Sequence, residues 1–511
     1  MPQPLPRGRN PFDETGAQRG ADGIARYLNR PPSLVAMLRA SVERDAAATA
    51  VLEVSGGRSL SYGELWERAS RVAGGLQAAG AGRGDRVAIR LPNGIDWVLA
   101  FFGAQMLGAV VVPVNTRFTE EEVAYVLEDS GAAFTFGADE PLPQGEPVAI
   151  DDLASNDLAA IFYTSGTTGF PKGAMTSHEN FLTNSENAFR CLFTDRAEGP
   201  SISTLVSVPL FHVTGCNSQL IPVLELGGRV EILSGPLDFD GFFTAVGEHG
   251  VNQLVSVPAI YHAVMRHPKF AALDVSRVTW VSYGGAPIAE SLVHQIQDAF
   301  PNARVGNGFG LTETSSLTSF LPHEEAAEHA DSVGFALPVV DLALDEVDEE
   351  SGVGELFVRG PNVVQGYWRK PQATRETFTD GWLHTGDLAR VGADGLLYIV
   401  DRKKDMINRG GENVYCIEVE NALAGAPGVG EAAVVPVPDE MMGEKVGAVI
   451  VSAVAGALDI DAVLAHCRSH LADFKIPQYV AVRAEPLPRN AGGKLLKRTL
   501  REETDWGKPL R

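Results

Sequence analysis

Between residues 85 and 310 short apolar runs alternate with stretches of helical patterning. The runs lie at 85–91, 110–114, 158–162, 205–208, 229–233, 253–257 and 278–282, and 110–112 is β-branched throughout. Such strands face helices on both sides and belong to parallel sheets, because each return to the sheet edge needs a crossover helix. An earlier run, 49–53, precedes Ser61, which is placed as a helix N-cap with Glu64 as its capping-box partner. From 334 to 400 the texture changes to short strands with Gly turns, predicting a smaller β-rich subdomain. The charged run Arg402, Lys403, Lys404, Asp405 then leads into a small α+β unit. The expected fold is therefore α/β. Residues 1–30 form a loosely held arm rich in Pro, Gly and Arg, 31–401 a large N-terminal domain, and 402–511 a small C-terminal domain.

A chain of 511 residues can bury the cores of two or three domains. A net charge of −23 argues against a nucleic-acid partner and against an anionic membrane surface. Acidic and basic side chains balance from Arg402 onward, so the whole excess lies before it. An anion bound by such a body needs local lysines and arginines. Four widely spaced cysteines suggest neither a zinc site nor a disulfide framework, and fit a reducing cytoplasm. The N-terminus lacks the apolar segment of a secretory signal. Trp97 to Val114 is apolar enough to invite a membrane reading, but Gly108 and Pro113 interrupt it; a buried helix followed by a buried strand explains it better.

Directly after the run 158–162 comes Tyr163, Thr164, Ser165, Gly166, Thr167, Thr168, Gly169, Phe170, Pro171, Lys172, Gly173. Glycines bring backbone N–H groups close to an anion, hydroxyls donate to phosphate oxygens, and Lys172 adds a point charge. The chemistry suggested is grip on a polyphosphate; a plain Gly/Thr surface turn is the bland alternative. The common nucleotide P-loop is excluded, since Pro171 and Gly173 stand where that motif needs Gly and Ser or Thr. Farther on, Glu313 in Gly308, Phe309, Gly310, Leu311, Thr312, Glu313 reads equally as an Mg²⁺ ligand or as an acid at a helix start. Asp387, after Thr385 and Gly386, is placed on a tight turn, where it could take both hydroxyls of a ribose or simply stabilise the turn. Lys494, after Gly492 and Gly493, taken alone is a solvated lysine.

In this order and spacing, from about residue 31 to 500, these motifs resemble the adenylate-forming superfamily of acyl-CoA synthetases, peptide-synthetase adenylation domains and beetle luciferases. The resemblance implies conversion of a carboxylate and ATP to acyl-adenylate and pyrophosphate, then thiol attack to give a thioester. It implies that Thr164, Ser165, Thr167, Thr168 and Lys172, with Gly166 and Gly169, hold the β- and γ-phosphates. Glu313 would bind Mg²⁺ and Thr312 touch the α-phosphate, while Gly284, Gly285, Ala286 and Pro287 with Phe309 and its neighbours Gly308, Gly310 and Leu311 enclose the adenine. Asp387 and Arg402 would hold the ribose, and Lys494 bridge carboxylate and α-phosphate. By the same resemblance Lys404 would occupy the hinge about which the C-terminal domain swings, and Gly410 and Gly411 would line the pantetheine tunnel. Phe309 departs from the commoner Tyr.

The same resemblance places the acyl pocket at His212, Val213, Gly215, Cys216, Tyr283, Gly284 and Leu317, with His212 also among the catalytic residues. The pocket residues are mostly small or apolar. His212 stands where amino-acid-activating members carry Asp, and no Arg or Lys falls in these segments. A hydrophobic monocarboxylic acid is expected: fatty, aromatic or polycyclic. No carrier attachment site closes the chain, so free CoA is the expected acceptor. ATP, Mg²⁺ and CoA are the implied cofactors; a homodimer is left open. Two other readings stand beside the complete ligase: an enzyme of the same fold running one half-reaction, and a non-catalytic protein that binds acyl-adenylate or acyl-CoA.

Overall fold

A computed structural model describes residues 2–138, 140–164, 170–192, 194–233, 238–285, 288, 290–453, 458–489 and 495–510. Among these residues the chain forms a nine-stranded sheet, three five-stranded sheets and a small hairpin. In the nine-stranded sheet the strands Arg304–Phe309, Trp280–Gly284, Gln253–Ser256, Ser203–Val206, Arg229–Ile232 and Thr49–Glu53 run parallel, side by side in that order. Antiparallel strands close both edges: Ser319–Leu321 and Phe335–Ala336 on one, Ser59–Ser61 on the other. A five-stranded sheet follows the same plan, with Phe134–Gly137, Arg86–Arg90, Val110–Pro113 and Leu158–Thr164 parallel and Lys172–Ser177 antiparallel at its edge.

The apolar segment after Trp97 resolves into helix Ile95–Met106 and strand Val110–Pro113, both buried. Among the described residues no helix is long and apolar enough to cross a membrane. The helix Tyr62–Ala78 starts as expected, with Ser61 as N-cap and Glu64 completing the capping box.

An antiparallel five-stranded sheet contains Asp341–Asp345, Gly354–Arg359, Phe378–Thr379, Trp382–Val391 and Leu397–Arg402. The change of texture near 334 thus starts on the nine-stranded sheet, to which Phe335–Ala336 belongs. The last five-stranded sheet lies wholly beyond Asp405: Ile407–Arg409, Glu412–Val414, Val429–Asp439, Gly443–Ser452 and Tyr479–Arg483. Its core is shared with helices Cys416–Ala424 and Ile460–His470.

The arm is not loosely held. The Arg7 guanidinium donates to the carbonyls of Ala336, Leu337 and Val340 at 2.9–3.0 Å. Arg9 pairs with Glu325, and Arg19 reaches Asp341 at 2.7 Å. Arg30 bridges Glu186 and Glu225 at 2.8 and 2.7 Å, and Phe12 is buried against Phe320 and Phe335. Arginines that look solvated in sequence find acceptors more than 150 residues away, because the rigid five-donor fork suits carbonyls and carboxylates alike.

Candidate active site

Strands Leu158–Thr164 and Lys172–Ser177 pair antiparallel with Thr164 opposite Lys172, so the phosphate loop joins a hairpin at the sheet edge. Ser165, Gly166, Thr167, Thr168 and Gly169 lie outside the described residues. At the ends of the loop, Thr164 Oγ1 donates to the Lys172 carbonyl at 3.4 Å, and Phe170 stacks on Tyr125 with centroids 4.4 Å apart. Behind it, the Tyr163 hydroxyl donates to Asp129 at 2.8 Å, and Lys370 pairs with Asp129 at 2.6 Å. Lys172 is half-buried, its Nζ 5.1 Å from the centroid of the Tyr367 ring.

Glu313 sits on a single 3₁₀ turn, Thr312–Thr314, just after strand Arg304–Phe309. Gly310 is required before it, because a Cβ there would lie 1.5 Å from the Ser316 carbonyl oxygen. Ser315 and Ser316 follow with φ of +54° and +111°, strained values for side-chain-bearing residues. Buried side chains hold this shape. Asn184 Oδ1 accepts from the Leu317 N–H at 3.0 Å, and Asn217 Nδ2 donates to the Ser315 carbonyl at 3.1 Å. Asn362 Nδ2 donates to the carbonyls of Thr314 at 3.3 Å and Leu317 at 2.8 Å. The Tyr367 hydroxyl donates to Glu313 Oε1 at 2.6 Å. Burial first, then the Glu313 carboxylate, push the Tyr367 phenol well above its usual range, so it remains a donor.

Among the described residues no group of three or more His, Cys, Asp or Glu could cage a metal. A lone carboxylate beside a phosphate loop fits Mg²⁺ nonetheless, since this ion takes one or two carboxylates and completes its shell with phosphate oxygens and water.

Asp387 is not on a tight turn. It lies inside the ten-residue strand Trp382–Val391, at an irregularity where Gly386 has φ +70°. The Thr385 hydroxyl donates to the Leu356 carbonyl at 2.7 Å and accepts from the Asp387 N–H at 3.0 Å. Asp387 faces Arg402 across the ladder, and Arg402 Nε lies 2.6 Å from its carboxylate. Two residues distant in sequence and both assigned to the ribose are thus brought together. Next to them Lys403 pairs with Glu346 at 2.6 Å and Glu355 at 2.8 Å, and Lys404 is exposed. Asp401, on the inward side, is buried and accepts from the N–H groups of Arg402 and Cys416. Burial pushes its carboxyl up to about 6, against the opposing pull of Lys497. Gly410 and Gly411 form a two-residue hairpin turn with φ of +62° and +96°.

His212 precedes the short turn Val213–Gly215 and the π-turn Cys216–Leu220, a geometry frequent at functional sites. Val213, Gly215 and Cys216 are buried, and burial pushes the Cys216 thiol up. Gly284 pairs with Gly308 in register, and a Cβ on Gly308 would lie 2.9 Å from Leu317 Cδ2. Leu317, Phe309 and Leu311 pack against one hydrophobic cluster, whereas Tyr283 belongs to a different one with Tyr261 and Val281. Gly285 is described; Ala286, Pro287 and Lys494 lie outside the described residues.

Sequence motifs missed Tyr367, Asn184, Asn217 and Asn362. Asn184 lies on helix His178–Cys191, which is largely polar yet almost wholly buried, so its polar groups need partners on other elements, a demand visible only in the folded chain.

Lys172 on the edge strand of one sheet, Glu313 just after a strand of the next, and the pairing of buried Asp387 with half-exposed Arg402 are the described parts of the candidate site. The family model for "AMP-binding enzyme" matches residues 38–152 and 137–368, and that for "AMP-binding enzyme C-terminal domain" matches 418–494. The chain is 38% identical to feruloyl-CoA synthase of Amycolatopsis sp over 478 residues, covering 89% of this chain and 95% of that one. It is 34% identical over 504 residues to long-chain-fatty-acid–CoA ligase FadD13 of Mycobacterium tuberculosis, covering 91% and 97%. Among solved structures, o-succinylbenzoate CoA synthetase (MenE) of Bacillus subtilis is 27% identical. In complex with its acyl-adenylate intermediate it gives a TM-score of 0.83 over 94% of this chain and 100% of that one. In complex with ATP and a magnesium ion it gives 0.81 over 91% and 99%. The chain belongs to the AMP-binding enzyme family.

Proposed function

We propose that the chain is an ATP-dependent, AMP-forming acid–thiol ligase that converts a hydrophobic monocarboxylic acid to its acyl-adenylate and then to the CoA thioester. The observation that carries this reading is the meeting of Lys172, from the five-stranded sheet, and Glu313, following the nine-stranded sheet, on the two sides of Tyr367. A carboxylate is a poor electrophile until one oxygen belongs to a good leaving group, and AMP is that group. Lys172 holds the departing polyphosphate, and Lys494 orients the carboxylate against the α-phosphate. Asp387 and Arg402 fix the nucleoside. Glu313 would hold Mg²⁺, which when bound would supply positive charge against the phosphates.

The relatives act on a feruloyl group and on long-chain fatty acids, by their names. Small or apolar Val213, Gly215, Cys216, Gly284 and Leu317 support an acid of that kind, fatty, aromatic or polycyclic. In this reading 31–401 forms the nucleotide-binding domain, 402–511 the small domain, and the junction at Lys404 the hinge. A cytoplasmic location, where CoA and ATP are available, belongs to the same reading, with a homodimer as its oligomeric form.

The test is mass spectrometry of reactions containing ATP, Mg²⁺, CoA and a panel of acids, scoring acyl-AMP and acyl-CoA separately. Acyl-CoA with AMP release from a hydrophobic acid is the expected result. Malonate or an amino acid as best substrate contradicts the acid class. Thioester formed only from supplied acyl-adenylate contradicts the complete ligase.

A further inference from the structure

Tyr367 belongs to none of the motifs that mark the site, yet it touches two of their residues. Its hydroxyl donates to Glu313 Oε1 at 2.6 Å, and the Lys172 ammonium lies 5.1 Å from its ring centroid. The side chain is 7% exposed, and Phe378 packs edge-on against the ring with centroids 5.6 Å apart. Its backbone is equally committed. Tyr367 forms an antiparallel bridge with Ala174, flanked by hydrogen bonds from Met175 to Gly366 at 2.9 Å and from Trp368 to Gly173 at 2.8 Å. The Val364 N–H donates to the Glu313 carbonyl at 2.9 Å. One short segment, 364–368, is thus stitched to the strand that carries Lys172 and to the turn that carries Glu313.

An ammonium and a carboxylate so placed would gain by pairing directly, and a paired site would present little charge to a phosphate–metal ligand. Tyr367 gives each a separate partner. The ring face holds the cation by its quadrupole, and the hydroxyl holds the carboxylate by a charge-assisted hydrogen bond. Among the described residues Lys172 and Glu313 form no salt bridge with each other.

We propose that Tyr367 is a positioning residue for magnesium-bound ATP, setting the spacing of Lys172 and Glu313 and keeping both charges available to the polyphosphate. This rests on the assignment of those two residues to the phosphates and the metal.

The test is calorimetric titration of the full chain with ATP, once with Mg²⁺ and once in EDTA. In the unsubstituted chain Mg²⁺ tightens ATP binding. Tyr367→Phe removes only the hydroxyl; it should cut that tightening about tenfold, the worth of one hydrogen bond to a charged group. Binding in EDTA should stay within about twofold, since the ring over Lys172 is kept. Tyr367→Leu, which loses the ring as well, should weaken binding in EDTA too. Full tightening in Tyr367→Phe overturns the proposal. Equal loss with and without Mg²⁺ reduces the residue to a packing role and also overturns it. An unsubstituted chain that binds ATP with no gain from Mg²⁺ contradicts the Glu313 assignment, and one that binds no ATP at all brings down the phosphate-site reading and this inference with it.

Discussion

Around Glu313 buried asparagines are aimed at main chain; around Arg402 half-exposed cations are paired with carboxylates. Asn184, Asn217 and Asn362 each hold a backbone group of the 314–317 segment, and all three are essentially inaccessible to solvent. Arg402 and Lys403 keep 39% and 47% of their side chains exposed while pairing with Asp387, Glu346 and Glu355. Neutral hydrogen bonds to buried backbone fix one geometry, because breaking any of them strands a carbonyl or N–H away from water. Exposed ion pairs are worth little and can be exchanged for water or for other partners at low cost. The turn at Glu313 is built to stay as it is, and the pairs next to Lys404 can exchange partners, which is what the proposed hinge between half-reactions would require.

Four substitutions can break or sharpen this contrast. Asp387→Asn removes a buried carboxylate at the boundary of the two regions, and the KM for ATP should rise about tenfold to a hundredfold; an unchanged KM in steady-state kinetics would take Asp387 out of the nucleotide site. Asn362→Ala strands two buried carbonyls and should cost about 1–3 kcal/mol in denaturant unfolding; a near-neutral result would mean that the strained segment holds itself.

Asp401→Asn probes the buried carboxylate beside Arg402. The folded-state carboxyl, at about 6, lies above its ordinary 3.8, so its contribution is complete below about pH 4 and is lost as pH rises through about 6. The variant cannot ionise. Relative to the unsubstituted chain it should therefore gain stability between pH 4 and 7, on the order of 1–2 kcal/mol. Parallel unfolding midpoints across that range would show that Asp401 is already compensated by Lys497. Lys403→Ala should have the smallest effect, under about 1 kcal/mol and fading with salt; a large, salt-independent loss would erase the distinction between the two regions.

Much of the frame was legible because its signals are local. Parallel strands buried on both faces read as unbroken apolar runs, as at Val110–Pro113, and the capping box at Ser61 and Glu64 spans three residues. What stayed hidden is long-range. The arm carries no periodicity, and its arginines find their acceptors only in the folded chain. Asn362 and Tyr367 act on residues about fifty positions away, and a lone polar residue in a loop does not announce such a partner. Asp387 looked like a turn residue because Thr-Gly-Asp is turn chemistry; pairing with the neighbouring strands overrode that preference and left only the irregularity at Gly386.

The account stands most directly on the two half-reactions measured separately in Glu313→Gln, which keeps size and shape but loses the charge. Acyl-adenylate formation should fall about a hundredfold or more, as expected when a group stabilising transition-state charge is removed. Thioester formation from supplied acyl-adenylate and CoA, which involves no polyphosphate, should stay within about twofold of the unsubstituted chain. Equal loss of both steps, or adenylation that survives intact, would contradict the assignment of this side of the site to the magnesium-bound phosphates.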